Sequence, residues 1–122
     1  MLAGCAPSGG GGVDTGSFSG TEKDVASALD DLADAARAGD GQRACSELLS
    51  RKRVDALGTN CRKAMDDQFD NADTFTLDVE DITVSGNTAR ARVVSDFDGK
   101  DATRTLVLVR ESNRWRLDAI ER

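Results

Sequence analysis

From Phe75 to Ile120 the chain alternates apolar and polar residues through four segments separated by turn-forming pairs, and nothing else in it constrains the fold as tightly. Phe75, Leu77 and Val79 face one way, with Thr76, Asp78 and Glu80 opposite. An extended strand sends successive side chains to opposite faces, so this pattern marks a sheet with one buried side. The phase then slips, because Ile82 and Val84 are the next apolar pair. A bulge at Glu80-Asp81 restores it and bends the strand. Gly86-Asn87 reads as a two-residue hairpin turn, which sets Val84 opposite Ala89 and Ile82 opposite Ala91, with Val93 continuing that face. A turn around Asp98-Gly99-Lys100-Asp101 places Leu106 and Leu108 beside these small residues. Ser112-Asn113 then brings Leu117 opposite Leu108, with Trp115 and Ala119 on the same side. Three turns agree on one apolar face.

The opposite face carries Arg90, Arg92, Val107, Val109, Arg116 and Asp118, with Arg92, Val107 and Asp118 expected in one row and Arg90, Val109 and Arg116 in the next. An anion or partner site could be built on these arginines; a solvated face whose long side chains shield two valines is the preferred reading. Asp96-Phe97-Asp98-Gly99-Lys100-Asp101 has a calcium-loop look, but its Gly comes too early and Val107 stands where a bidentate Glu is needed.

Upstream, the periodicity becomes helical. Thr21 with Asp24 three residues on forms an N-cap signal, and Gly39 suits a left-handed terminator. Between them Val25, Ala28, Leu29, Leu32 and Ala36 share a face, and Lys23, Ser27, Asp30, Asp34 and Arg37 the other. Asp30-Asp31 reads as part of that solvated face rather than as a catalytic pair. A second helix starts near Asp40 and aligns Ala44, Cys45, Leu48 and Leu49. Ser50 caps a short turn through Val54 and Leu57 that ends at Gly58, and Thr59 caps a third helix with Cys61, Met65 and Phe69 on one side. The fold class is therefore α+β, with N-terminal helices packed on a curved four-stranded antiparallel meander.

Composition changes near Gly20. Before it the chain holds no Lys, Arg or Glu and a single acidic residue, Asp14, among Gly and Ser; beyond it lie nearly all the charge and the large apolar residues. Met1-Leu2-Ala3-Gly4-Cys5 resembles the lipobox of bacterial lipoproteins, with Leu2, Ala3, Gly4 and Cys5 filling its four positions. That resemblance implies residues 1–5 as the end of a signal peptide with lipidation at Cys5, and hence an extracytoplasmic protein held to the cell membrane by lipid. Residues 6–20 would form a Gly/Ser-rich tether reaching about 20 Å, and residues 21–122 the folded domain.

With Cys5 assigned to lipid, Cys45 and Cys61 remain on the apolar faces of neighbouring helices, and in an exported protein they are expected to form a disulfide. Free buried thiols are the alternative. Two Cys in a chain without His fall short of a four-ligand zinc site, and their separation is not that of a Cys-x-x-Cys redox pair, so no metal or cofactor is expected.

A net charge of −6 without a basic block argues against nucleic acid and suits a soluble, monomeric surface. No run of about 18 apolar residues is present that would span a membrane as a helix. The chain lacks His and Tyr, the commonest general base and a common phenolic donor.

Helices first, then a curved meander ending in Arg114-Trp115-Arg116-Leu117-Asp118, resembles the nuclear transport factor 2-like superfold, also called the SnoaL-like or cystatin-like α+β cone. The chain also resembles small exported lipoproteins of high-GC bacteria, which carry Ala-Gly-Asp-Gly after the first helix, as Ala38-Gly39-Asp40-Gly41 does here, and a Cys in each following helix, as at Cys45 and Cys61. Some relatives of this fold are isomerases, dehydratases or cyclases with Tyr, His and Asp inside the cone. Here the expected interior, Leu77, Val93, Leu106, Leu108, Trp115 and Leu117, offers no acid or base, and Arg104 and Arg110 fall near its margins.

Two functions follow as expectations. The first is a non-catalytic envelope lipoprotein whose cone binds a small apolar ligand or an envelope protein, or serves as a scaffold. The second is an isomerase- or cyclase-like enzyme using a buried carboxylate such as Asp78 or Asp118, which requires that carboxyl group to lie in a cavity.

Overall fold

The computed structural model describes Gly16, residues 18–70, Ala72, and residues 75–97 and 100–121. Cys5, most of the expected tether and the turn residues Asp98 and Gly99 lie outside the described residues.

Helix α1 spans Gly20–Ala38, one residue earlier than its expected cap at Thr21. Ser19 precedes it in extended backbone and makes no side-chain capping bond, while Phe18 packs half-buried against the core at the helix entrance. At the other end Gly39 takes the left-handed conformation, φ 68° and ψ 30°, as the sequence predicts. The Asp40 amide donates to Ala35 O at 2.9 Å. The Asp40 carboxylate in turn accepts the Arg43 amide at 3.0 Å, capping α2 (Gly41–Arg43). α2 runs straight into one wide turn, Ala44–Leu48, closed by the Leu49 amide on Ala44 O at 2.9 Å.

The second glycine of Ala38-Gly39-Asp40-Gly41 has a different reason from the first. A Cβ on Gly41 would lie 2.3 Å from Asp66 Oδ1 and 2.6 Å from Arg62 O, so this turn and α4 (Cys61–Gln68) touch through backbone. The Gly41 amide donates to Asp66 Oδ1 at 2.9 Å across that contact. Nearby, Cys45 and Cys61 are joined as a disulfide with Cα atoms 6.2 Å apart. Between the two, Ser50 caps α3 (Arg51–Leu57) through the Arg53 amide, and Gly58 ends it at φ 67°. Thr59 caps nothing, because Gly58–Asn60 form a tight 3-10 turn that leads directly into α4.

The sheet is an antiparallel meander in the order β1-β2-β3-β4, formed by Thr76–Ser85, Thr88–Phe97, Lys100–Glu111 and Arg114–Glu121. The register matches the alternation: Val84 pairs with Ala89, Ile82 with Ala91, Ala89 with Leu108, Ala91 with Leu106 and Leu108 with Leu117. The ladder shifts between Val79 and Asp81, leaving Glu80 as the extra residue of the expected bulge. Gly86 at φ 60°, and Ser112 and Asn113 at φ 51° and 66°, supply the positive angles that two-residue hairpins need.

Two placements on the sheet differ from expectation. On the outer face Arg90 pairs with Val107 and Arg92 with Thr105, two positions along from the rows the alternation suggested. In β4 a second bulge falls at Asp118, since Leu108 pairs with Leu117 but Val107 already pairs with Ala119. Ile120 therefore stands opposite Leu106 on the inner side and Ala119 turns outward. No apolar phase slip betrays this bulge, because Ala119 and Ile120 are both apolar and either could face in. Its anchor lies outside the sheet. The Ser50 amide donates to Leu117 O at 2.8 Å, and Ser50 Oγ donates to Asp118 Oδ1 at 2.7 Å, so the segment before α3 clips onto the edge of β4.

The outer face is solvated and ion-paired, with Arg90 on Glu121 and Arg92 on Glu80 at 3.5 Å. Beneath these long side chains Val107 is buried. The inner face, α1 and the disulfide-linked helices close on one core that includes Val25, Leu29, Ala33, Ala44, Leu49, Met65, Ala91, Leu108 and Trp115.

Candidate functional site

That core does not fill the whole concave face. A cavity of about 350 Å³ opens where the strands lead away from the Gly86 and Ser112 turns, at the small end of the range for ligand pockets, about 300 to 1,000 Å³. Its sheet wall is Leu77, Val93, Leu106, Leu117 and Ile120. Its roof comes from the C-terminal half of α1 through Leu32 and Ala36, from α4 and its end through Met65 and Phe69, and from Ala72 and Phe75.

Four of the six expected lining residues, Leu77, Val93, Leu106 and Leu117, are thus brought together around open space. Leu108 and Trp115 lie outside the lining, sealed in the core at the turn end of the sheet beside Ala89. The roof residues carried a signal in the sequence, for Leu32, Ala36, Met65 and Phe69 all fall on the apolar helix faces. Ile120 carried none, since its inward position depends on the Asp118 bulge.

Among the described residues the polar groups of the cavity are few. Ser95 lines it, and its hydroxyl donates to Ala102 O at 3.3 Å. Gln68 stands exposed at the lining, and Arg104, a half-buried residue, joins it from the inner face, opposite the fully buried Val93. Arg110, the other inner-margin arginine, is exposed opposite Trp115 and does not line the cavity.

Neither candidate carboxylate reaches this space. Asp78 is exposed on the outer side of β1. Asp118 lies at the β4 edge with its side chain 15% exposed, 2.7 Å from Ser50 Oγ and 3.1 Å from Lys52 Nζ. Burial raises its carboxyl pKa, but the hydrogen bonds from Ser50 and Lys52 and the charges of Lys52 and Arg53 outweigh that, and the net shift is downward. Such a group is a poor base and a good structural anion. Asp30, Asp31 and Asp34 also gather, their oxygens within 4.8 Å of one another on α1. Arginines compensate them, Arg37 reaching Asp34 at 2.6 Å and Arg43 reaching Asp31 at 3.4 Å, as on an ordinary solvated helix face.

No curated protein matches the chain significantly. A family model does, over residues 15–118, which takes in the helices, the first three strands and most of β4. An α+β cone with an apolar cavity between its helices and its curved sheet thus coincides with that match, and the chain belongs to the family described as "Putative lumazine-binding", a family of the nuclear transport factor 2-like fold.

Proposed function

We propose that this protein is a non-catalytic binding domain whose cone cavity takes a small, largely apolar ligand, and that it works outside the cytoplasm on a lipid anchor at Cys5. The observation that carries the binding half is the cavity itself, about 350 Å³ walled by Leu77, Val93, Leu106 and Leu117 and roofed by Met65, Phe69 and Phe75. The family's description supports a ligand-binding cone, and lumazine, a flat heteroaromatic molecule, is the first candidate to test. Two phenylalanines in the lining favour such a ring, which gains from offset stacking. The positions of Asp78 and Asp118 outside the cavity favour binding over the isomerase-like alternative.

Titration of lumazine, and of the neutral fluorophore N-phenyl-1-naphthylamine, into the protein tests this reading. Saturable binding of the fluorophore that is lost when Ala36→Trp fills the cavity supports it, and competition by lumazine would name the ring; no saturable binding of the fluorophore, or binding unaltered by Ala36→Trp, overturns it. The anchor has a separate test. Mass spectrometry of native protein from the membrane fraction should show an acylated Cys5, and an unmodified Cys5 there removes the anchor.

A further inference from the structure

Resting on the binding reading above, we infer that the cavity's ligand is an amphipathic anion, an apolar body with one carboxylate held by Arg104. Among the described residues Arg104 is the one charged member of the lining, set in a wall of aliphatic and aromatic side chains. Its register opposite Val93 directs it to the inner face, and its side chain is half-buried. Among the described residues its side chain makes no hydrogen bond or ion pair; Arg51, Arg53 and Arg110 also lack an ion pair, but none of them lines the cavity. The Arg104 nitrogens are not among the buried unpartnered atoms, so they keep access to water at the cavity mouth and are free to bind an incoming anion. A ligand carboxylate accepts two parallel N–H bonds from such a guanidinium.

The neighbouring polar groups fit the same anion. Ser95 has committed its proton to Ala102 O, so it cannot compete with Arg104 as the donor to an anion. Gln68, also at the lining, has an amide that can donate. The apolar end of the ligand is provided for as well. Ile120, 44% exposed, is the one exposed large hydrophobic among the described residues, and it stands in this lining.

Displacement of N-phenyl-1-naphthylamine by decanoate and by decan-1-ol at pH 7.5 separates the two claims, since the competitors share a chain and differ in charge. In the wild-type protein decanoate should compete at roughly tenfold lower concentration than decanol, the difference expected of a hydrogen bond to a charged group. Arg104→Gln should bring that ratio close to one, and Arg104→Lys, which keeps the charge but loses the two-pronged donor, should preserve only part of it. Equal competition by the two in wild type, or a ratio that Arg104→Gln leaves unaltered, overturns the anion inference while the cavity reading stands. Failure of the neutral fluorophore to bind, or its binding equally well to Ala36→Trp, overturns both.

Discussion

At the turn end of the sheet's inner face, Ala89, Ala91, Leu108 and Trp115 are sealed in the core with Val25, Ala26 and Leu29; at the far end Leu77, Val93, Ser95 and Arg104 line open space. Both ends follow the same two-residue alternation on the same four strands. What differs is the volume set against them. Small strand residues at the closed end let bulky core side chains approach to native packing density. At the open end α1 presents Leu32 and Ala36 to Leu77, Val93 and Leu106 without filling the space between them, while the roof is completed by α4 and by Phe69, Ala72 and Phe75. Alternation decides which face is apolar; the fit of facing volumes decides whether that face becomes core or cavity.

The sharpest way to break this comparison is truncation at both ends. Leu108→Ala should cost about 2 to 5 kcal/mol, because it empties space in a closed core. Leu32→Ala, half-buried beside an existing void, should cost less than half as much. Urea midpoints at unchanged slope measure both, and equal losses would mean that the two ends are packed alike.

Removing the disulfide tests what holds the roof. Replacing Cys45 and Cys61 together by Ser should lower stability by roughly 3 kcal/mol for the loop they close. Hydrogen exchange should rise first in α4, which carries Met65 and Gln68 over the cavity. A uniform rise across sheet and helices would deny the roof this separate dependence.

Enlargement gives a smaller, opposite contrast. Ala91→Leu, at a fully buried position opposite Leu106, should cost about 1 to 3 kcal/mol through overpacking. Ala36→Leu points into open space and should stay within about 1 kcal/mol while weakening binding of the neutral fluorophore. The least effect is expected at Asp118. Its carboxyl pKa is lowered by folding, so the stability it adds is complete above the unfolded value of about 3.9 and is lost as pH falls through the lower folded value. Asp118→Asn should flatten that part of the acid-denaturation curve without changing the cavity, and an unaltered curve would separate the Ser50 clip from stability.

The fold was readable where a residue had one physical option. Gly86-Asn87 and Ser112-Asn113 admit few turns, the slip from Val79 to Ile82 demanded a bulge, and Gly39 could end α1 at a left-handed angle that other residues resist. Legibility failed where two neighbours were equally suited, as with Ala119 and Ile120, and where the backbone entered a helix without the expected side-chain cap, as at Thr21 and Thr59. The same limit explains the site. Leu77 and Leu108 are indistinguishable in the alternation, yet one lines the cavity and the other is sealed.

From sequence alone came the inward face, the strand order and the inner-face pairs as far as Leu117, the helix faces and the two cysteines brought within reach of each other, because each rests on local geometry repeated at a fixed period. Tertiary structure alone decided that Gly41 must make room for the α4 backbone, that Ser50 clips the bulged edge of β4, and that a gap remains beside Arg104. These depend on how segments distant in sequence meet in three dimensions, and no residue pattern within one segment encodes the space left between two.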